Sequence, residues 1–66
     1  MSRRKIVKIL ETNGWICVRV TGSHYQYKLN GIGTVATVPH HDKDISDFVV
    51  RSLCKSTGID FYNYTK

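Results

Sequence analysis

The sequence is poor in the residues that mark several large protein classes. Its 66 residues include one proline, two cysteines and five acidic residues. Cys17 and Cys54 form no CxxC pair and lack zinc-finger spacing, so we expect two free, buried thiols in a reducing compartment. The longest apolar runs have four residues, as at 15–18, and we expect no membrane-spanning helix. No apolar signal core follows the basic first residues, which predicts a cytoplasmic protein.

A chain of this length forms one small domain. It buries roughly 60% of the surface that its unfolded chain exposes, so any chemistry must use a few residues on a shallow surface. The composition, 41% hydrophobic and 23% charged, is that of a folded domain. We assign residues 1–59 to the domain and residues 60–66 to a C-terminal tail.

Positive charge is concentrated in the first half of the chain. The formal net charge is +5. Residues 1–28 hold six Lys or Arg against Glu11 and carry the whole excess, whereas residues 29–66 are balanced. A one-sided basic region on so small a domain indicates a polyanionic partner, most simply a nucleic acid, although a solvated surface that serves only solubility stays open as an alternative.

Hydrophobic periodicity predicts the element order α-β-β-β-α. Helical spacing covers residues 2–13 and 45–57, and Gly14 and Gly58 are placed to end these helices in a left-handed conformation. Alternation predicts strands at 15–21, 24–29 and 34–38, with a hairpin turn at Asn30-Gly31-Ile32-Gly33. The apolar stripe predicted for the second helix consists of Ile45, Phe48, Val49 and Leu53.

These elements predict an α+β fold in which two helices cover one face of a three-stranded antiparallel sheet. The same order occurs in double-stranded-RNA-binding domains, which read the shape of A-form RNA. Side chains that alternate with the covered set point to the open face, and His24, Gln26 and Lys28 belong to it. The residues predicted to lie on the covered face are Ile16, Val18, Val20, Tyr25, Tyr27 and Leu29.

His24 is the candidate catalytic residue. It follows Gly22-Ser23, a pair that allows a close turn and leaves a hydroxyl beside the ring. An exposed imidazole can accept or donate a proton near neutral pH. It could take the proton of a ribose 2′-hydroxyl, whose oxygen attacks the adjacent phosphate while cations stabilise the added charge. A plain surface histidine is the alternative reading. The predicted RNA-binding residues are Ser23, Gln26, Lys28, Arg3, Arg4, Lys5 and Lys8.

The run His40-His41-Asp42 contains metal-ligating residue types but has poor spacing for a site. Adjacent side chains in extended chain point apart, and no fourth ligand is suitably placed. We therefore expect a solvated loop, no metal and no cofactor. One of these histidines could instead assist His24 as a second proton carrier or a phosphate contact.

Several short segments together resemble the HicA-type toxins of bacterial toxin–antitoxin pairs. The similarity runs from about Arg4 to Ile59, and a Gly-Ser-His motif followed by alternating aromatics and a Val-Pro-His segment is its most specific part. The segments that carry it are Asn13-Gly14-Trp15, Gly22-Ser23-His24-Tyr25-Gln26-Tyr27, Thr37-Val38-Pro39-His40, Arg51-Ser52-Leu53 and Thr57-Gly58-Ile59.

The resemblance implies a fold like a double-stranded-RNA-binding domain and an mRNA interferase that needs no metal. The histidine of the Gly-Ser-His motif is the family's catalytic residue, which corresponds to His24. A HicB-type antitoxin would bind the toxin and cover that histidine, and DNA would be contacted only indirectly, through the antitoxin. The chain departs from many relatives at Ser46-Asp47-Phe48-Val49, where they carry a Lys-Gly-Thr-Leu-type start to the second helix. A non-catalytic module that binds double-stranded RNA is the alternative function.

Overall fold

The structure is a computed structural model that describes residues 1–39 and 43–64. Its strands form one antiparallel sheet in the order β1-β2-β3. The predicted α+β fold and the order α-β-β-β-α are confirmed. The elements are α1 (Arg3–Thr12), β1 (Ile16–Thr21), β2 (His24–Lys28), β3 (Val35–Pro39) and α2 (Asp47–Thr57).

Local signals in the sequence set the ends of both helices. The Ser2 hydroxyl accepts a hydrogen bond from the Lys5 amide at 3.1 Å, and Ser46 caps α2 by accepting from the Val49 amide at 3.4 Å. Helix α2 therefore begins two residues later than predicted. Gly58 ends α2 with a left-handed φ of 74°, as expected from its position after the apolar stripe.

The core lies between the two helices and the strands β2 and β3. Trp15, just before β1, and Phe61, beyond α2, are also buried, although Phe61 belongs to the segment predicted as a tail. Phe61 therefore makes the segment after α2 part of the core. The buried residues are Ile6, Ile9, Leu10, Trp15, Tyr27, Ala36, Val38, Ile45, Val50, Leu53 and Phe61.

The predicted burial of β1 is wrong. Ile16, Val18 and Val20 are 63%, 52% and 55% exposed. One cause is a register shift between Cys17 and Arg19, which leaves Val18 without a partner on β2 and places Ile16 on the open face opposite Lys28. The other cause is that burial in the sheet is confined to β2 and β3, so that the helices leave the edge strand β1 uncovered.

Two further residues expected in the interior are exposed. Phe48 is 84% exposed because α2 buries the side that carries Val50 and Leu53. A residue two positions from Val50 lies about 200° around the helix. Cys17 is exposed because it lies on the uncovered strand β1, whereas Cys54 is half-buried, and both thiols are free as predicted.

The starts of the two helices meet at one end of the domain. The Arg3 amide donates to the Lys43 carbonyl at 2.9 Å, and the Ile45 amide donates to the Met1 carbonyl at 2.7 Å. An isolated bridge between Ser2 and Asp44 completes this junction. The chain enters it from the end of β3, the same end of the sheet at which β2 begins.

Candidate active site

The open face of the sheet consists of three rows of side chains that run across the strands. Residues paired in an antiparallel sheet project from the same face, and directly opposite Cβ atoms lie about 5 Å apart. The register therefore groups the predicted site residues of β2 with specific residues of β1 and β3. The rows are Thr21–His24–Pro39, Arg19–Gln26–Thr37 and Ile16–Lys28–Val35.

His24 lies in the middle strand at one end of this face. The two-residue turn Gly22-Ser23 precedes it, and Gly22 adopts a φ of 56° that favours glycine. The tight turn makes Thr21 the direct partner of His24 on β1, while Pro39 is its partner on β3. The backbone of His24 is thus fixed on both sides, and its side chain is exposed.

Polar side chains surround His24 on the open face. The Gln26 amide nitrogen Nε2 donates to Thr21 Oγ1 at 3.5 Å, which ties together the residues beside and opposite the histidine. Gln26 and Ser23 are half-buried, whereas Lys28 is exposed at the far end of β2. The structure therefore brings together four of the predicted site residues, in the order Ser23, His24, Gln26 and Lys28.

Arg19 is a further cation on this face that the sequence reasoning did not select. It pairs with Gln26 across β1 and β2, so it is a diagonal neighbour of His24. Diagonal neighbours lie roughly 7–8 Å apart, within reach of a long side chain. The signal was present in the sequence, because a two-residue turn at Gly22-Ser23 pairs Thr21 with His24 and therefore Arg19 with Gln26.

The basic residues of α1 lie on the other side of the sheet. Arg3, Arg4 and Lys8 line an open groove of about 590 Å³ with Val7, Glu11 and Tyr25. Tyr25 follows His24 in β2 and therefore points away from it, toward the helices. Lys5 lies on the opposite flank of α1, where it lines a smaller cavity with Tyr64. Apart from Lys5, the predicted RNA-binding residues thus form two surfaces, which we call the histidine face and the α1 groove.

The two surfaces lie on either side of the uncovered strand β1. Arg19 points from β1 onto the histidine face, and Val20, the partner of Tyr25, points toward the side of the α1 groove. Both residues are exposed. A flexible polyanion that passes around this edge strand could contact both surfaces.

Tyr27, beside the α1 groove, has a pKa that differs from that of a free tyrosine. Burial raises the pKa of the Tyr27 hydroxyl above its ordinary value, and electrostatic interaction with Cys17 and Glu11 acts in the same direction, while Arg3 opposes them. A raised pKa keeps Tyr27 neutral. Tyr27 is 3% exposed, which confirms the prediction that it lies on the covered face of the sheet.

The described residues contain no cluster of side chains that could bind a metal ion. Within residues 1–39 and 43–64, no group of three His, Cys, Asp or Glu side chains could hold a metal ion. The run His40-His41-Asp42, which the sequence analysis considered as ligands or as helpers of His24, lies outside the described residues.

Comparison with known proteins identifies the family. The sequence model described as the HicA toxin of bacterial toxin–antitoxin systems matches residues 3–59, which include all five elements. Compared with individual curated proteins, the chain has no match. No helix among the described residues is long and apolar enough to cross a membrane. The chain belongs to the HicA family and is a toxin of a bacterial toxin–antitoxin system, with an antitoxin as its partner.

Proposed function

We propose that this toxin is a metal-independent endoribonuclease that cleaves mRNA and uses His24 for proton transfer. The observation that carries the proposal is the exposed imidazole of His24 in the middle strand of an open sheet face, beside the cation of Arg19. A long, flexible substrate can reach such a face without a deep pocket. The site of action would be the bacterial cytoplasm, where mRNA is found.

The chemistry is an attack within the RNA chain. The His24 imidazole accepts the proton of a ribose 2′-hydroxyl, and the 2′-oxygen forms a bond to the adjacent phosphorus. The bond from phosphorus to the 5′-oxygen breaks, and that oxygen leaves with a proton from the imidazolium or from water. The products are a 2′,3′-cyclic phosphate and a 5′-hydroxyl. Negative charge builds up on the phosphate in the transition state, and a nearby guanidinium stabilises it.

The two surfaces have different tasks in this proposal. Arg19, Gln26 and Lys28 hold the phosphate at the scissile bond and the neighbouring nucleotides on the histidine face. Arg4 and Lys8, in the α1 groove, bind the backbone of the same RNA beyond the edge of β1. Contacts to phosphates give affinity without reading sequence.

The antitoxin would be a HicB-type protein that inhibits by covering His24. The family membership supports an antitoxin in general, and the exposure of His24 leaves the ring open to such a cover. Contact with DNA would occur only through the antitoxin.

Replacement of the histidine tests the proposed reaction. We expect His24→Ala to keep the fold, since the side chain is exposed, and to abolish both growth arrest and RNA cleavage. Circular dichroism checks the fold, and primer extension on RNA from induced cells maps cleavage. His24→Ala protein that still cleaves RNA at the same sites would show the assignment to be wrong.

Product ends and chelation test the remaining parts of the mechanism. We expect cleaved RNA to end in a 2′,3′-cyclic phosphate or its hydrolysed form, and we expect EDTA to leave the rate unchanged. A 3′-hydroxyl end contradicts the 2′-hydroxyl attack, and inhibition by EDTA contradicts metal independence. Salt-sensitive binding of duplex RNA by the wild-type protein without cleavage would instead identify the non-catalytic RNA-binding module.

A further inference from the structure

Phe48 is the most exposed of the large hydrophobic side chains in the described part of the chain. It is the second residue of α2 and is 84% exposed. A single exposed apolar residue is common on protein surfaces and needs no explanation by itself. Phe48 differs because it lines two surface grooves and lies next to the outer edge of β3. Of the residues on the histidine face, only Val35 and Thr37, at its border, line one of these grooves.

The first groove lies between α2 and the outer edge of β3. Its volume is about 210 Å³. Strand β3 pairs only with β2, so alternate residues along its outer edge present unpaired backbone N–H and C=O groups. An edge of this kind accepts one further strand from a binding partner. The residues that line the groove are Val35, Thr37, Phe48, Val49, Ser52, Leu53 and Ser56.

The second groove gives the surface a positive charge. Its volume is about 350 Å³, and Phe48, Arg51, Ser52 and Lys55 line it. These residues recur at helical spacing, so they form one stripe along α2. Arg51 and Lys55 are exposed, and neither forms an ion pair with another described residue. A segment that fits this surface therefore carries an apolar side chain for Phe48 and carboxylates for Arg51 and Lys55.

We propose that β3 and the Phe48 stripe of α2 bind an extended acidic segment of the antitoxin, which adds a fourth strand to the sheet. This inference goes beyond the covering of His24, because it names a contact at the opposite edge of the sheet from β1. A strand added to β3 also projects alternate side chains onto the open face, next to the row that contains Thr37 and Gln26. The contact would thus anchor the antitoxin beside the catalytic face.

Two other occupants agree less well with this surface. A second copy of the toxin would bring the cations of two Phe48 stripes together, and like charges repel. RNA could meet Arg51 and Lys55 with the opposite charge, but it has no peptide groups that could pair with the outer edge of β3. An acidic peptide meets Arg51 and Lys55 with the opposite charge and supplies the backbone groups that β3 needs.

The test compares toxin variants for binding to the antitoxin encoded beside the toxin gene. All variants carry His24→Ala, and calorimetry measures the affinity of the purified proteins. We expect Phe48→Ala to weaken binding at least about tenfold, as aromatic anchors do at interfaces. Ile32→Ala, which truncates another exposed apolar residue (45% exposed) that lines neither groove, should change the affinity less than about threefold.

Charge-reversal variants and amide hydrogen exchange provide two further tests of the contact. Lys55→Glu should weaken antitoxin binding, whereas Lys5→Glu, on an exposed lysine of α1, should have a much smaller effect. Hydrogen exchange should slow at the amides of residues 35–38 when the antitoxin binds. Because neither readout depends on RNA cleavage, failure of the proposed ribonuclease function would leave this test unaffected.

Three outcomes would overturn the proposal. The first is wild-type affinity in both Phe48→Ala and Lys55→Glu. The second is a loss of RNA binding in these variants with antitoxin binding intact, which would assign the surface to nucleic acid. The third is a toxin dimer that Phe48→Ala converts to a monomer in sedimentation, which would assign it to a second copy.

Discussion

At the residue scale, the neighbours of His24 follow from the pairing of strands rather than from proximity in the sequence. Arg19 is five positions away from the histidine, yet the register places it diagonally across the open face. Its guanidinium has a planar set of donors that matches two phosphate oxygens. No other Lys or Arg of the described chain shares this row with Gln26.

Arg19 therefore carries a specific prediction. We expect Arg19→Gln to lower the rate of RNA cleavage by roughly a hundredfold, since removal of one donor to a transition-state anion has an effect of this size. Arg19→Lys keeps the charge but not the paired donors and should recover part of the rate. Single-turnover cleavage of a defined RNA measures both.

The control for Arg19 is Lys55→Gln, which removes an exposed cation from α2, away from the histidine face. It should cleave at the wild-type rate. Equal rates for Arg19→Gln and the wild type would remove Arg19 from the site.

Gly14 is a second residue whose role can be measured. It has a φ of 89°, and a Cβ atom there would lie 3.1 Å from Leu29 Cδ1. We expect Gly14→Ala to lower the free energy of unfolding by about 1–2 kcal/mol, because both the backbone and the contact disfavour a side chain. Urea denaturation gives the value.

Gly33→Ala is the matched control for Gly14. The φ of Gly33 lies outside the left-handed region, and a Cβ there meets no atom within 4 Å. The free energy of unfolding of Gly33→Ala should therefore equal that of the wild type or be slightly higher. A similar loss in both variants would mean that the conformation of Gly14 has no special role.

At the element scale, α1 combines a buried apolar stripe with cations where a helix disfavours them. Its first turns contain Arg3, Arg4 and Lys5, and no acidic residue lies in the first turn. The positive end of the helix dipole repels these side chains. The arrangement is explained if α1 binds a polyanion through the α1 groove.

Charge reversal in α1 should therefore stabilise the fold and at the same time weaken RNA binding. We expect Arg4→Glu to raise the free energy of unfolding by about 0.5 kcal/mol, and to weaken RNA binding with a smaller dependence on salt. Arg4→Gln should show about half of each effect. Urea denaturation and fluorescence anisotropy with labelled RNA measure the two quantities. Unchanged RNA affinity in both variants would exclude the α1 groove from the interface.

Elements were predictable from the sequence where their signals are local. Ser2 marks the start of α1 through its hydroxyl, which accepts the Lys5 amide, and Gly14 and Gly58 mark helix ends through their left-handed conformation. The Gly22-Ser23 turn fixes the β1–β2 register near His24. The bulge at Val18 was not predictable, because it depends on how β1 pairs with β2 over its full length. The exposure of Ile16 and Phe48 depends on which part of the sheet each helix covers, and alternation or helical spacing alone does not contain this information.

At the scale of the whole molecule, a small core needs every large buried side chain. Phe61 is fully buried although it lies beyond α2, in the segment that the sequence analysis assigned to a C-terminal tail. Tyr62 follows it and donates a hydrogen bond to Asp47 Oδ1 at 2.8 Å, which holds this segment against the start of α2. The segment after α2 thus closes one side of the core.

Truncation of Phe61 should accordingly be severe. We expect Phe61→Ala to lower the free energy of unfolding by about 3–5 kcal/mol, a large part of the stability of a domain of this size. Phe48→Ala makes the same substitution at an exposed site and should change the value by less than about 0.5 kcal/mol. Chemical denaturation compares the two. Equal losses would show that Phe61 does not belong to the core.

The central position of β2 limits how the toxin can be silenced. The backbone of His24 is held by strands on both sides, so an inhibitor could not displace it without separating β2 from a neighbouring strand. Occlusion of the preformed site leaves the sheet intact. Under the proposed function, proteolysis of the bound inhibitor would then liberate a fully competent toxin at once, with no refolding lag before the first RNA is cut.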